Sequence, residues 1–172
     1  MRIITLVLLF SMLSCATISR ADTRSIPTVE EFQLPRYLGT WYEIARLPHR
    51  FERNLQQVTA TYTLLDNGKI EVLNRGFNTK KQKWSEARGT AWVPSQEAPS
   101  ELRVRFFWPF SAAYRIIWLD ADYTLAVVTS NSFSYFWMLS RTPQIPQQTY
   151  DQLISHAAQW GFDTADIIKV VQ

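Results

Sequence analysis

The chain is poor in the residues that usually carry chemistry. It has one cysteine, Cys15, so an intramolecular disulfide framework is excluded. It has two histidines, His49 and His156, and no paired Cys or His spacing that suits a metal. No Gly-x-Ser-x-Gly elbow is present. The longest apolar run, within Met1 to Leu13, is too short to span a bilayer, and no helical period is seen before residue 146. Charge of one sign is also lacking: removing residues 1–14 takes only Arg2 from 18 basic and 15 acidic side chains, and nucleic-acid binding gains no support.

What is present first is a leader. MRIITLVLLFSML has one Arg ahead of an apolar stretch, the form of a secretory signal. Cys15 follows in MLSC, which resembles a bacterial lipobox. The expected organisation is a lipoprotein signal peptide at 1–14, a lipidated Cys15 with a polar tether over 15–31, and one domain over 32–172. A second cut is also legible: Ser19-Arg20-Ala21 before Asp22 suits ordinary signal peptidase, and would release a soluble periplasmic protein without the cysteine.

From Phe32 the pattern has period two. Val58, Ala60, Tyr62 and Leu64 alternate with Thr59, Thr61 and Thr63, and Asn67-Gly68 supplies a tight hairpin turn. Ile70 and Val72 follow. Residues 83–93 carry a small-residue face of Ala87, Gly89 and Ala91, and Leu102, Val104 and Phe106 oppose Arg103 and Arg105. Tyr114, Ile116 and Trp118 lie opposite Arg115, LAVVT is a short buried run, and Tyr135, Trp137, Leu139 and Arg141 share a face. The prediction is all-β: eight antiparallel strands in sequence order, closed as an up-and-down barrel because closure removes both edges and leaves room for one small ligand. After Pro143, Tyr150, Leu153, Ile154, Ala157 and Ala158 recur at helical spacing with Gly161 as C-cap. One helix is expected outside the barrel, then a short final strand in IIKVV.

These residues resemble a known family. FQLPRYLGTWYEIARLPHRFE is similar to the first signature of the lipocalins through Phe32, Gly39, Trp41 and Tyr42. LDADYTLAVV is similar to the second through Asp122 and Tyr123, and WMLSRTP to the third through Arg141. The stretch from His49 to Phe77 and LSRTP resemble bacterial outer-membrane lipocalins and their apolipoprotein D-like relatives. The resemblance implies a carrier of fatty acids or lysophospholipids, anchored on the periplasmic face of the outer membrane and serving envelope maintenance under stress. Ala16 rather than Asp after Cys15 agrees with outer-membrane sorting.

The chemistry expected is binding, not catalysis. Asp120 and Asp122 flank a turn, where Asp bonds its local backbone, and His156 reads as structural. Neither a catalytic set nor a cofactor is expected. Strand parity turns Tyr62, Val72, Val104, Phe106, Tyr114, Ile116 and Trp137 inward as ligand-lining residues. His49, Arg50 and Arg53 form a candidate head-group rim, or else a merely solvated loop. Gly39, Trp41 and Arg141 are read as the structural closed end, with Arg141 over the indole. Phe136, Met138, Phe107, Trp108 and Phe110 are read as an outward apolar patch for a homodimer or a membrane. A lipocalin-fold enzyme acting on bound lipid and a plugged structural or inhibitory barrel are the rival functions.

Overall fold

The computed structural model describes residues 22–172; the leader, Cys15 and the cut at Ala21 lie outside the described residues. Eight strands form the barrel: β1 (Gly39–Arg46), β2 (Leu55–Leu64), β3 (Ile70–Asn78), β4 (Lys83–Trp92), β5 (Glu101–Phe107), β6 (Phe110–Leu119), β7 (Leu125–Thr129) and β8 (Phe136–Ser140). Each pairs antiparallel with its neighbour in sequence, and β1 pairs with both β8 and β2, so the sheet closes. A two-residue β9 (Ile168–Lys169) pairs with the upper part of β1 from outside. The expected architecture is the observed one.

The interior follows from alternation. Trp41, Tyr62, Ile70, Val72, Ala91, Leu102, Ile116, Ala126, Val128 and Leu139 form one buried cluster inside the barrel. A short helix, α1 (Leu34–Tyr37), with proline in its first turn, leads into β1 and buries Tyr37. A second core lies outside the sheet, where α2 (Gln147–Gln159) lays Leu153 and Ala157 over Ile44, Ala45, Val127, Phe136 and Met138. Gly161, at φ +92°, turns the chain out of this helix, and its N–H bonds to the Ala158 carbonyl.

Three expectations are corrected here. Phe136 and Met138 do face outward, but α2 covers both and neither is exposed, so only Phe107, Trp108 and Phe110 remain of the apolar patch. Trp118 does not share a face with Tyr114 and Ile116, because the β6–β7 register shifts between Ile116 and Trp118 and turns the indole to the α2 side. The folded body also begins ahead of Phe32. Thr23 and Ile26 are buried, Val29 N–H bonds to the Ile116 carbonyl, and the buried Arg115 guanidinium donates to the Ile26 carbonyl at 2.9 Å and to Glu101 Oε1 at 3.0 Å. A polar, aperiodic sequence hid this strap, since its backbone, not its side chains, makes most of the bonds.

Candidate functional site: a cavity closed at one end

Gly39 opens β1 at φ +94°, a conformation that L side chains rarely adopt, and an added Cβ would stand 3.3 Å from Arg141 Nη1. That entry sets Trp41 inside the barrel, fully buried, with its indole N–H donating to the Tyr37 carbonyl at 2.8 Å. Arg141 lies 3.9 Å over the centre of the indole. Its guanidinium donates to the carbonyls of Thr40 (2.9 Å), Arg36 (2.9 Å), Tyr37 (3.1 Å) and Leu38 (2.8 Å). One side chain thus fastens the end of β8 to α1 and β1. Phe32 and Tyr37 complete the seal, 5.3 Å apart between ring centres.

Above the seal the Tyr114 hydroxyl lies 2.6 Å from that of Tyr37 and 2.8 Å from that of Tyr62. Burial raises all three phenol pKa values, so the rings stay neutral. Three O–H groups joined by two hydrogen bonds leave one proton free to donate elsewhere. Tyr37 is the member that parity could not supply, because it sits on a helix and not on a strand.

A cavity of about 100 Å³ lies over these tyrosines. Tyr62, Val72, Val104, Phe106, Tyr114 and Trp137 line it, as expected, together with Val58, Leu102, Val128 and Leu139. Ile116 does not: it is fully buried in the packed core instead. Gly89 matters here because the Phe106 ring occupies the space of its missing Cβ, at 2.8 Å. Any side chain at Gly89 would displace that ring.

The cavity also has a polar corner. Glu43 and Glu52 line it, and the buried Arg46 donates to Glu43 Oε1 at 2.6 Å and to the carbonyls of Glu52 and Leu55 at 3.1 Å each. Trp137 Nε1 donates to Glu52 Oε2 at 3.2 Å. His49 is only 9% exposed at its side chain, its Nε2 stands 2.8 Å from Glu52 Oε2 in an ion-pair contact without hydrogen-bond alignment, and its Nδ1 has no partner. His49 therefore packs behind the lining residues Glu52 and Trp137, without lining the cavity itself, and does not stand on an exposed rim. Arg50 and Arg53, by contrast, are exposed on the loop outside. A further lining atom, Asn74 Oδ1, is buried without a partner.

Burial, reinforced by the nearby Glu52 charge, pushes the Glu43 carboxyl well up, against the pull of Arg46. Burial also pushes Glu52 up, but His49, Arg46 and the Trp137 N–H together outweigh it and hold Glu52 below the usual carboxylate range. The two carboxyls are thus pushed in opposite directions, Glu43 up and Glu52 down, around one guanidinium that lies 2.6 Å from Glu43 and 3.7 Å from Glu52. A carboxyl whose folded pKa is raised contributes stability that is whole below its unfolded pKa, about 4.3, and is lost as pH rises toward the folded value. Glu43→Gln, which imitates the protonated state, should therefore match wild type in thermal melts at acid pH and exceed it increasingly as pH rises. Parallel melting curves across that range would show that Glu43 ionises normally.

No group of three or more His, Cys, Asp or Glu among the described residues is placed to hold a metal ion. What the geometry defines is a calyx: a barrel sealed at one end by an aromatic plug, with a mostly apolar internal cavity for a small molecule. Residues 32–172 match the lipocalin-like domain family, and the chain belongs to the lipocalins. It is 40% identical over 163 residues to the outer membrane lipoprotein Blc of Escherichia coli K12, covering 95% of this chain and 91% of that one. It is 43% identical to the Blc of Vibrio cholerae, covering 86% and 87%, and 32% identical to mouse apolipoprotein D, covering 81% and 76%. Among solved structures, the cockroach allergen Per a 4 superposes with a TM-score of 0.66 at 24% identity, covering 86% of this chain and 93% of that one.

Proposed function

We propose that this protein is a carrier of single-chain lipids, fatty acids or lysophospholipids, held on the outer membrane by acyl groups on Cys15 and exposed to the periplasm, where it serves envelope maintenance under stress. The observation that carries the binding reading is the cavity itself, walled by Val72, Val104, Phe106, Tyr114 and Trp137 over a sealed floor. Burying an acyl chain there contributes about 0.8 kcal/mol per methylene. The cavity volume of about 100 Å³ takes only part of such a chain at once, so uptake moves side chains, and the half-buried Phe106 and Trp137 are the ones at the wall to move. The names of the Blc relatives, outer membrane lipoproteins in three bacterial genera, support the location.

The polar corner narrows the ligand. Glu52 is ionised, and Asn74 Oδ1 is an acceptor without a donor. A ligand hydroxyl or a protonated carboxyl supplies a donor, whereas an ionised carboxylate there meets like charge. Lysophospholipid, through its glycerol hydroxyl, suits the corner better than a fatty-acid anion. Lipid extraction of protein taken from its native envelope, followed by mass spectrometry, should find stoichiometric single-chain lipid; a barrel with nothing bound would count against the carrier. In a fluorescent fatty-acid titration, Trp137→Ala should weaken binding about tenfold, roughly 1.4 kcal/mol, with the fold intact. Unchanged affinity would remove Trp137 from the site.

A further inference from the structure

In an up-and-down barrel the connections alternate between ends, so the loops at 47–54, 79–82, 108–109 and 130–135 all lie at the end opposite the Trp41 seal. That open end is built unlike the rest of the surface. Phe107, Trp108 and Phe110 are 72%, 82% and 78% exposed there, and Phe51 and Trp84 are exposed on the neighbouring elements. Five large aromatics held in water on one end are more than scattered apolar exposure requires.

Charge is sorted along the same axis. The open-end loops carry Arg50, Arg53, Lys80 and Lys81, with Lys83 beside them, and their one carboxylate, Glu52, is turned inward. The loops between strands at the sealed end carry Asp66, Glu97, Asp120 and Asp122 against one cation, Lys69. The aromatic end is therefore the cationic end.

The start of the described chain is the third observation. Thr23 Oγ1 bonds to the Ser130 carbonyl, which places Asp22 and Thr23 beside the open-end loop 130–135, before the strap runs along the outside toward the seal. The seven residues from Cys15 to Asp22 reach at most roughly 25 Å when extended. An acyl chain on Cys15 would thus hold the open end, not the sealed end, toward the bilayer.

We propose that the open end of the barrel is a membrane-docking face, in which Phe107, Trp108 and Phe110 enter the interface of an anionic phospholipid surface while Arg50, Arg53, Lys80, Lys81 and Lys83 pair with its head groups. The orientation argument rests on Cys15 as the anchor, but the aromatic and cationic features do not. Docked in this way, the cavity mouth faces the lipid it draws from, and a single-chain lipid passes between bilayer and barrel without crossing water.

The test uses the mature chain carrying Cys15→Ala, so that no anchor contributes, and a single environment-sensitive fluorophore on Trp108→Cys or, as a control at the sealed end, on Asp66→Cys. Vesicles of phosphatidylethanolamine with phosphatidylglycerol should shift the emission of the Trp108→Cys label to the blue and leave the Asp66→Cys label unchanged. Phosphatidylcholine vesicles should shift neither. In cosedimentation, Phe107→Ser with Phe110→Ser, or Lys80→Glu with Lys81→Glu, should each lower vesicle affinity at least tenfold, and added salt should act in the same direction. A label at position 108 that stays in water on anionic vesicles, equal shifts at both ends, or aromatic burial in a second copy of the chain without vesicles would overturn the proposal. Fatty-acid titration of the same variants in solution, and the mass of the natural mature N-terminus, report separately on the carrier and the anchor. A failure of either is thereby told apart from a failure of docking.

Discussion

Trp41→Ala should lower the unfolding free energy of the barrel by about 3–5 kcal/mol, the range for deleting a fully buried large aromatic. The indole is not merely filler. It lies between Tyr37, 4.8 Å from its ring centre, and the Arg141 guanidinium at 3.9 Å, and without it Arg141 faces a void. Trp41→Phe separates the contributions. Phenylalanine keeps a ring beneath Arg141 but gives up part of the buried indole volume as well as the N–H bond to the Tyr37 carbonyl. That carbonyl still accepts from Arg141 Nη2 at 3.1 Å, so the additional cost of the lost bond should be only about 1 kcal/mol. Urea unfolding of the two variants is the measurement. If Trp41→Ala is as stable as Trp41→Phe, the plug contributes little and the barrel is held by its ladders alone.

The sealed end was legible in the sequence because its parts obey local rules: glycine where φ is positive, tryptophan at an inward position of β1, and arginine at the end of the last strand. The barrel was legible for a similar reason. β5 alternates Leu102, Val104 and Phe106 with arginines, so its inner face can be read without knowing its neighbours. The polar corner was only half legible. Glu43 shares parity with Trp41 and is inward on that count alone. Arg46 is not, because the register of β1 against β8 shifts between Glu43 and Ala45, so that Ile44 and Ala45 both meet the helix side and Arg46 turns in. His49 and Glu52 then reach the same corner through a single 3-10 turn, Arg50–Glu52, which has no hydrophobic period to betray it. The outer cover of Phe136 and Met138 was hidden differently: the helix pattern was clear, but which strands it would lie on is a tertiary fact.

Arg46→Met should be nearly as damaging as loss of the plug, again by about 3–5 kcal/mol, because it removes the cation from a buried ionic group and leaves an uncompensated charge. Arg46 is 6% exposed at its side chain and stands 2.6 Å from Glu43 and 3.7 Å from Glu52, within a wall that is otherwise mostly apolar. Without it, Glu52 keeps the unfavourable effect of burial and loses one of the three influences that hold its pKa down. The pH dependence carries the sign. In wild type, a depressed Glu52 contributes stability that is present above its unfolded pKa and lost as pH falls through its folded value. In Arg46→Met, both carboxyls are expected to hold protons more strongly than in the unfolded chain, so stability should rise on acidification. The difference between the two proteins should therefore be widest at neutral pH and narrow toward acid. Replacing the whole group, Glu43→Leu with Arg46→Met and Glu52→Leu, should recover most of the loss, since a buried ionic set exchanged for apolar side chains of similar size is often neutral. The same triple variant should weaken the preference for hydroxyl-bearing lipids, because Asn74 would be the one side-chain carbonyl or carboxyl acceptor left of the three that line the corner. A single variant as stable as wild type at neutral pH, measured by denaturant unfolding, would show that water reaches the corner and that its charges are solvated.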